Sequence, residues 1–203
     1  MEDGGDAIED GVVVSSRGCR RRVASSAHPR AILHFDIDCF YAQVEMLRRP
    51  ALRDQPLGVH QKSLLVTCNY RARALGVTKC QPVKEALVVC PGLVLVNGED
   101  LAEYRKASQQ VHDVLLQFSP HVEKLGLDEN FVDVTDVVER MLRDEEDERE
   151  WTVEGHRVLI DGDDGVGSCP CGCARRLAVA THLAQQIRVR QCQGYQLRAT
   201  PGP

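Results

Sequence analysis

The chain has no apolar run long enough to cross a membrane. Its longest, Ala86 to Val96, is broken by Cys90-Pro91-Gly92 and falls short of the roughly 20 residues a span requires. The start, Met1-Glu2-Asp3-Gly4-Gly5-Asp6, is too acidic for a secretory or mitochondrial leader. No lysine occurs after Lys124, no acid from residue 165 to the end, and no internal repeat anywhere. The nine cysteines are odd in number and scattered, so reduced thiols in a cytosolic or nuclear protein are expected rather than a disulfide framework. A net charge of −5 argues against a stand-alone nucleic-acid binder.

That charge is unevenly spread over the 203 residues. Residues 48–84 hold eight Lys/Arg against one acid, Asp54, whereas residues 144–150 hold six acids. A local basic field in an acidic chain suits a small anion such as a nucleoside triphosphate. Residues 1–29, rich in Gly, Ser and acids around the basic patch Arg17 to Arg22, read as a disordered tail.

Strands are expected at Ala31–Phe35, Leu57–His60, Leu64–Thr67 and Leu93–Val96, where apolar runs of strand length recur. Phe40, Val44 and Leu47 mark a helix stopped by Pro50; Asn69 to Leu75 is a brief helix closed by Gly76, and Pro82 opens another. The clearest helix starts at Asp100 as a cap, with Glu103 reaching back, and carries the stripe Leu101, Tyr104, Ala107, Val111, Val114, Phe118. His121–Leu127 and Phe131–Val134 then form a hairpin with Asp128-Glu129-Asn130 at its tip. A helix begins at Thr135 or Asp136, and Arg175 to Arg190 has helical character. The last dozen residues show neither period.

Two carboxylate clusters carry the chemistry. Asp36 ends the first strand, and Asp128 and Glu129 follow 92 residues later (128 − 36). Acids at apolar strand ends are costly unless something positive sits on them. A pair of divalent ions is the economical candidate, and two metals held by carboxylates suit in-line phosphoryl transfer. The Ile37 carbonyl could add an oxygen; Asp38 reads as a helix cap rather than a ligand. A rival uses Asp36 as the nucleophile and Asp38 as the acid/base of an aspartyl-phosphate phosphohydrolase, although Cys39 stands where that pattern wants Thr or Val. Cys169-Pro170-Cys171-Gly172-Cys173 lacks the paired spacing of ordinary zinc sites and reads as a loop.

Four blocks carry a family resemblance. They are Asp36-Ile37-Asp38-Cys39-Phe40-Tyr41, then Leu65 to Val77 around Asn69-Tyr70-Arg71-Ala72-Arg73, then Cys90 to Asp100, and Leu125-Gly126-Leu127-Asp128-Glu129-Asn130. With these the chain resembles the Y-family translesion DNA polymerases, and the last block marks one branch of them. The resemblance implies an α+β fold: a polymerase palm, a ferredoxin-like antiparallel sheet with helices on one face, carrying a small fingers insertion. Palm would come from 30–39 and 99–160 and fingers from 40–98, with 161–203 a divergent segment.

The resemblance also implies roles. Asp36, the Ile37 carbonyl, Asp128 and Glu129 would hold Mg²⁺ (or Mn²⁺), and Tyr41 would be the steric gate against a ribose 2′-OH. Thr67, Tyr70 and Arg73 would contact the triphosphate of a dNTP, and Gln61 and Lys62 the template base and incoming nucleotide. Without the family, Tyr41 would be a core aromatic and Arg73 a solvated charge. Expected function is template-directed nucleotidyl transfer on primer–template DNA in nuclear translesion synthesis and DNA repair. Because the match fades after His156, the chain is expected to lack a final palm strand, thumb and little finger, and with them clamp and ubiquitin contacts. It would hold DNA weakly. Two readings from other classes stand beside this: a nucleotide-binding or interaction fragment without turnover, and a palm-type nucleotide cyclase.

Overall fold

The computed structural model describes residues 30–144, 173–195 and 199–201. Along β1 (Ile32–Ile37), Phe35 and Ile37 are buried while His34 and Asp36 look the other way, the period of two that defines a half-buried strand. Cys39 then takes a left-handed turn at φ 40° and the chain enters α1 (Phe40–Arg48). Phe40 and Val44, four residues apart, face the core. Pro50 ends the run and opens a short 3₁₀ turn, Pro50–Asp54.

A three-stranded sheet follows. It consists of β2 (Leu57–Gln61), β3 (Leu64–Cys68) and, after α2 (Tyr70–Ala74) and α3 (Val83–Val89), β4 (Val94–Asn97). The order is β3-β2-β4, with β2 antiparallel to β3 and parallel to β4. Asn69 anchors α2: its side chain accepts from the N–H groups of Ala72 and Leu57, both at 3.0 Å, and donates to the Gln55 carbonyl at 2.8 Å.

The chain then returns through α4 (Ala102–Leu116), β5 (Val122–Leu125), β6 (Glu129–Asp133), α5 (Thr135–Asp144), α6 (Cys173–Tyr195) and β7 (Ala199–Pro201). Together with β1 these strands form an antiparallel sheet of order β5-β6-β1-β7, the expected ferredoxin-like pattern. Phe35 and Val132 of the sheet, Phe40 of α1, Tyr104 and Val111 of α4, and Val179 and Leu183 of α6 share one core. Among the described residues the opposite face is uncovered. His34, Asp36, Glu129 and Phe131 stand on it.

Four expectations change. The hairpin tip is Gly126-Leu127-Asp128, because Gly126 takes the left-handed position at φ 72°; Glu129 and Asn130 lie in β6, with Glu129 opposite Asp36. Asp38 does not cap α1: Cys39 holds the cap position, no side chain bonds there, and Asp38 instead receives Arg73. The long helix begins at Ala102, after Asp100 accepts from the Ala102 N–H at 3.0 Å. And the last dozen residues do contain a strand, at the sheet position where the chain was expected to lack one. β7 pairs with β1 through Phe35↔Pro201, Asp36↔Thr200 and Ile37↔Ala199, a pairing made by backbone groups that needs no side-chain period. The expected tail 1–29, the acidic run beyond Asp144, and Cys169 and Cys171 lie outside the described residues.

Candidate active site

The acids gather where β1 and β6 end side by side. Asp36 stands opposite Glu129 in the sheet register, and the Ile37 N–H donates to the Asp128 carbonyl at 3.1 Å. This bond ties the hairpin turn to the end of β1. Burial pushes the Asp128 carboxyl above the usual carboxylate range, and the negative charges of Asp36 and Glu129 push it further. Among the described residues, the one basic side chain within 4 Å of any of these three carboxylates is His34, its Nε2 3.6 Å from Glu129 Oε2. The His34 ring lies flat on Phe131, with centroids 4.5 Å apart and planes at 11°.

Among the described residues no three His, Cys, Asp or Glu side chains converge tightly enough to chelate an ion as they stand. The donor set nonetheless fits a hard divalent cation: oxygen ligands, mutually repelling, one of them half-buried and, among the described residues, without a Lys or Arg partner. A cation would relieve the repulsion that raises Asp128.

Tyr41 borders this cluster. It is the second residue of α1, and its phenol is raised by burial and then by the Asp128 charge. Its ring packs on Tyr104 at 4.4 Å and on the edge of Phe40 at 5.7 Å. Across the β1–α1 turn, Arg73 Nη1 sits 3.4 Å from Asp38 Oδ1 and the Arg73 guanidinium lies 5.2 Å from the Tyr70 ring centre. Tyr70 is 59% exposed, while Thr67 is buried at the end of β3. Between the two groups the Cys39 thiol is pushed up to about 12 by burial and by the charge of Asp38, so it stays protonated and poorly nucleophilic.

Gln61 and Lys62 lie at the β2–β3 tip and are tied elsewhere. Gln61 Nε2 donates to the Gly98 carbonyl at 2.8 Å, and the Lys62 N–H, in a left-handed residue at φ 51°, donates to Glu99 at 2.9 Å. The structure therefore brings Asp36, Ile37, Asp128, Glu129 and Tyr41 together, with Thr67, Tyr70 and Arg73 beyond Asp38. Gln61 and Lys62 are held by the segment entering α4.

Sequence reasoning missed His34 and Tyr104 as neighbours of the site. His34 is two residues before Asp36, so strand alternation alone places them on one face; Tyr104 was visible only as one position of an apolar stripe. A depression of about 800 Å³, lined in part by Arg30, Ile32, Phe131 and Asp133, lies farther along the open face. None of the expected site residues lines it.

The sequence matches the model of the impB/mucB/samB family over residues 35–202, past His156 and into the last strand. A polymerase named DNA polymerase iota in Drosophila melanogaster is 53% identical over 164 residues, 81% of this chain and 22% of the relative. Its Mus musculus namesake is 54% identical over 177 residues, 86% of this chain and 24% of the relative. DNA polymerase IV of Mannheimia succiniciproducens is 42% identical over 114 residues, 54% of this chain and 32% of the relative. Among solved structures, a Dbh ternary complex with partially disordered substrates superposes with a TM-score of 0.61 at 23% identity, over 83% of this chain and 40% of that one; this is a likeness of fold. The chain spans less than a quarter of the length of the polymerase iota relatives.

Proposed function

The chain belongs to the impB/mucB/samB family, the UmuC-like Y-family DNA polymerases, and from that premise we propose that it is the nucleotidyl-transfer core of a translesion DNA polymerase. In this reading the four-stranded sheet is palm and the three-stranded sheet with α2 and α3 is fingers. The observation that supports it most is the juxtaposition of Asp36, Asp128 and Glu129 at one sheet end, with Tyr41 against them.

Asp36, Asp128, Glu129 and the Ile37 carbonyl would hold Mg²⁺ or Mn²⁺. Bound there, the ions would lower the pKa of a primer 3′-hydroxyl and neutralise charge on the departing pyrophosphate. The chain's own groups orient the reactants. Arg73, a planar fork of donors already steered by Tyr70 and Asp38, suits phosphate oxygens, and Thr67 and the Tyr70 hydroxyl can donate to the same triphosphate. The Tyr41 ring, wedged between helix and acid cluster, would lie under the sugar and reject a 2′-hydroxyl. Gln61 and Lys62 would face the nascent base pair. The partners are a dNTP and primer–template DNA, in the nucleus.

A second reading follows from length. Grip on duplex DNA sums many cationic phosphate contacts, and the matched segment is 22–24% of the polymerase iota relatives. The matched segment by itself would then bind nucleotide without efficient turnover.

Thermal unfolding of the chain with and without Mg²⁺ and a dNTP, beside Asp36→Ala, tests both. The melting temperature of the wild type should rise with the two ligands together, and that of the variant should not. A cooperative melt with no ligand response in the wild type would refute a nucleotide site. Primer extension by the same samples separates turnover from binding alone.

A further inference from the structure

A buried carboxylate is expensive unless it is hydrogen-bonded and paired, and this fold keeps one in the middle of α1. The Glu45 side chain is 2% exposed. Arg48 Nη1 reaches one of its oxygens at 3.0 Å and Arg49 takes the other. The Tyr104 hydroxyl of α4 donates to the first oxygen at 2.8 Å. Tyr104 is itself 2% exposed, and its ring is the one that packs on Tyr41 at 4.4 Å, tilted by 57°.

Glu45 follows Tyr41 by four residues on one helix, so both side chains project from the same face of α1. Tyr104 therefore meets α1 at two places. Its ring backs Tyr41 and its hydroxyl is tethered one turn further on, to a carboxylate that two arginines hold still. A phenylalanine would fill the same core without requiring a buried charge behind it. What the tyrosine adds is a fixed ring position: the ring cannot slide or tilt without breaking its bond to Glu45. Space is closed on another side as well, since a Cβ added at Gly98 would stand 3.5 Å from the Tyr104 hydroxyl.

We propose that Tyr104 and Glu45 are positioning residues that fix how far the Tyr41 ring projects into the nucleotide pocket, and so set the discrimination between deoxyribose and ribose. The inference rests on the reading of Tyr41 as the sugar-facing ring. Rejecting one hydroxyl requires the ring edge to be placed within a fraction of an ångström, and a side chain anchored only at its own Cα is not so constrained. The buttress supplies the second anchor.

The test compares the full chain with Tyr104→Leu, Tyr104→Phe and Tyr41→Ala. The affinities of dATP and ATP in Mg²⁺ are measured for each by competitive titration. Tyr104→Leu should cut the dATP-to-ATP preference by about tenfold, the scale of a single-group discrimination, while the dATP affinity stays within about threefold. Tyr104→Phe, which keeps the ring and loses the tether, should fall between the leucine variant and wild type. A role in packing alone would weaken both nucleotides alike. An unchanged ratio in a cooperatively melting Tyr104→Leu, with the ratio abolished in Tyr41→Ala, overturns the buttress and leaves the gate standing. If the leucine variant does not fold, an unchanged ratio in Tyr104→Phe overturns it equally. A wild type that binds neither nucleotide, or a Tyr41→Ala that still discriminates, refutes the sugar-gate reading and this inference with it.

Discussion

Asp128 stands where its ionised form is least welcome, half-buried and facing two other acids. Replacing it with Asn removes the repulsion and keeps the shape. Asp128→Asn should therefore melt a few degrees higher than wild type in metal-free buffer near neutral pH, and should lose the Mg²⁺-plus-dNTP response; differential scanning calorimetry with and without ligands reads both. Glu45 has the opposite balance. Burial raises its carboxyl, but hydrogen bonds from Arg49 and Tyr104 and the charges of Arg48 and Arg49 outweigh that and hold it below its ordinary value. A depressed acid stabilises the fold above its unfolded-state pKa, and that contribution is lost as pH falls through the folded value. Melting temperature should accordingly drop as pH falls below about 4.3. Asp133, held down by Thr135 and Arg30 despite its burial cost, adds to the same slope. Glu45→Gln should be less stable at pH 7 and show a shallower acid slope, which isolates the Glu45 share. At this scale the acids were legible because charged residues at apolar strand ends are conspicuous. The pairing of Asp38 with Arg73 was not, since it joins positions 35 apart in sequence.

Among the elements, α2 depends most on a single side chain. It is five residues long, too short to persist alone, yet it carries Tyr70 and Arg73. Asn69 holds it by capping Ala72 and bonding Leu57 and Gln55 on the neighbouring strand segment. Asn69→Ala should cost about 2–3 kcal/mol in chemical denaturation, because it removes the cap on the Ala72 N–H and leaves the buried Leu57 N–H unpaired. Nucleotide affinity should fall before the global melt does. Strands β1 to β4 and helices α1 to α4 were readable to within one or two residues because their apolar periods are strong and Pro or Gly marks their ends. The hairpin turns two residues earlier than expected: the acids mark a tip in sequence, whereas the backbone turns where Gly126 lets it. Strand β7 was invisible because it is three residues long and its pairing with β1 leaves no pattern in sequence.

For the whole molecule, the layout of two sheets was legible and their joining was not. Periodicity announces every strand but β7, and no local signal says that β2 runs parallel to β4, or that β1 lies inside the first sheet with β6 on one side and β7 on the other. Those facts come from long-range packing. The blocks that carried the resemblance covered the site and both sheets as far as β6, and the family match then extended the correspondence to residue 202.

The chain leaves the first sheet at Asp38, builds all of the second, and returns at α4, and the two crossings are stitched together by Tyr104 on Glu45. A segment whose entrance and exit share one place behaves as a graft. It can be lengthened, shortened or exchanged without rethreading a single strand of the sheet that bears the acids. If the proposed function holds, descendants of such a fold could alter what they read in the template while inheriting the reaction unchanged.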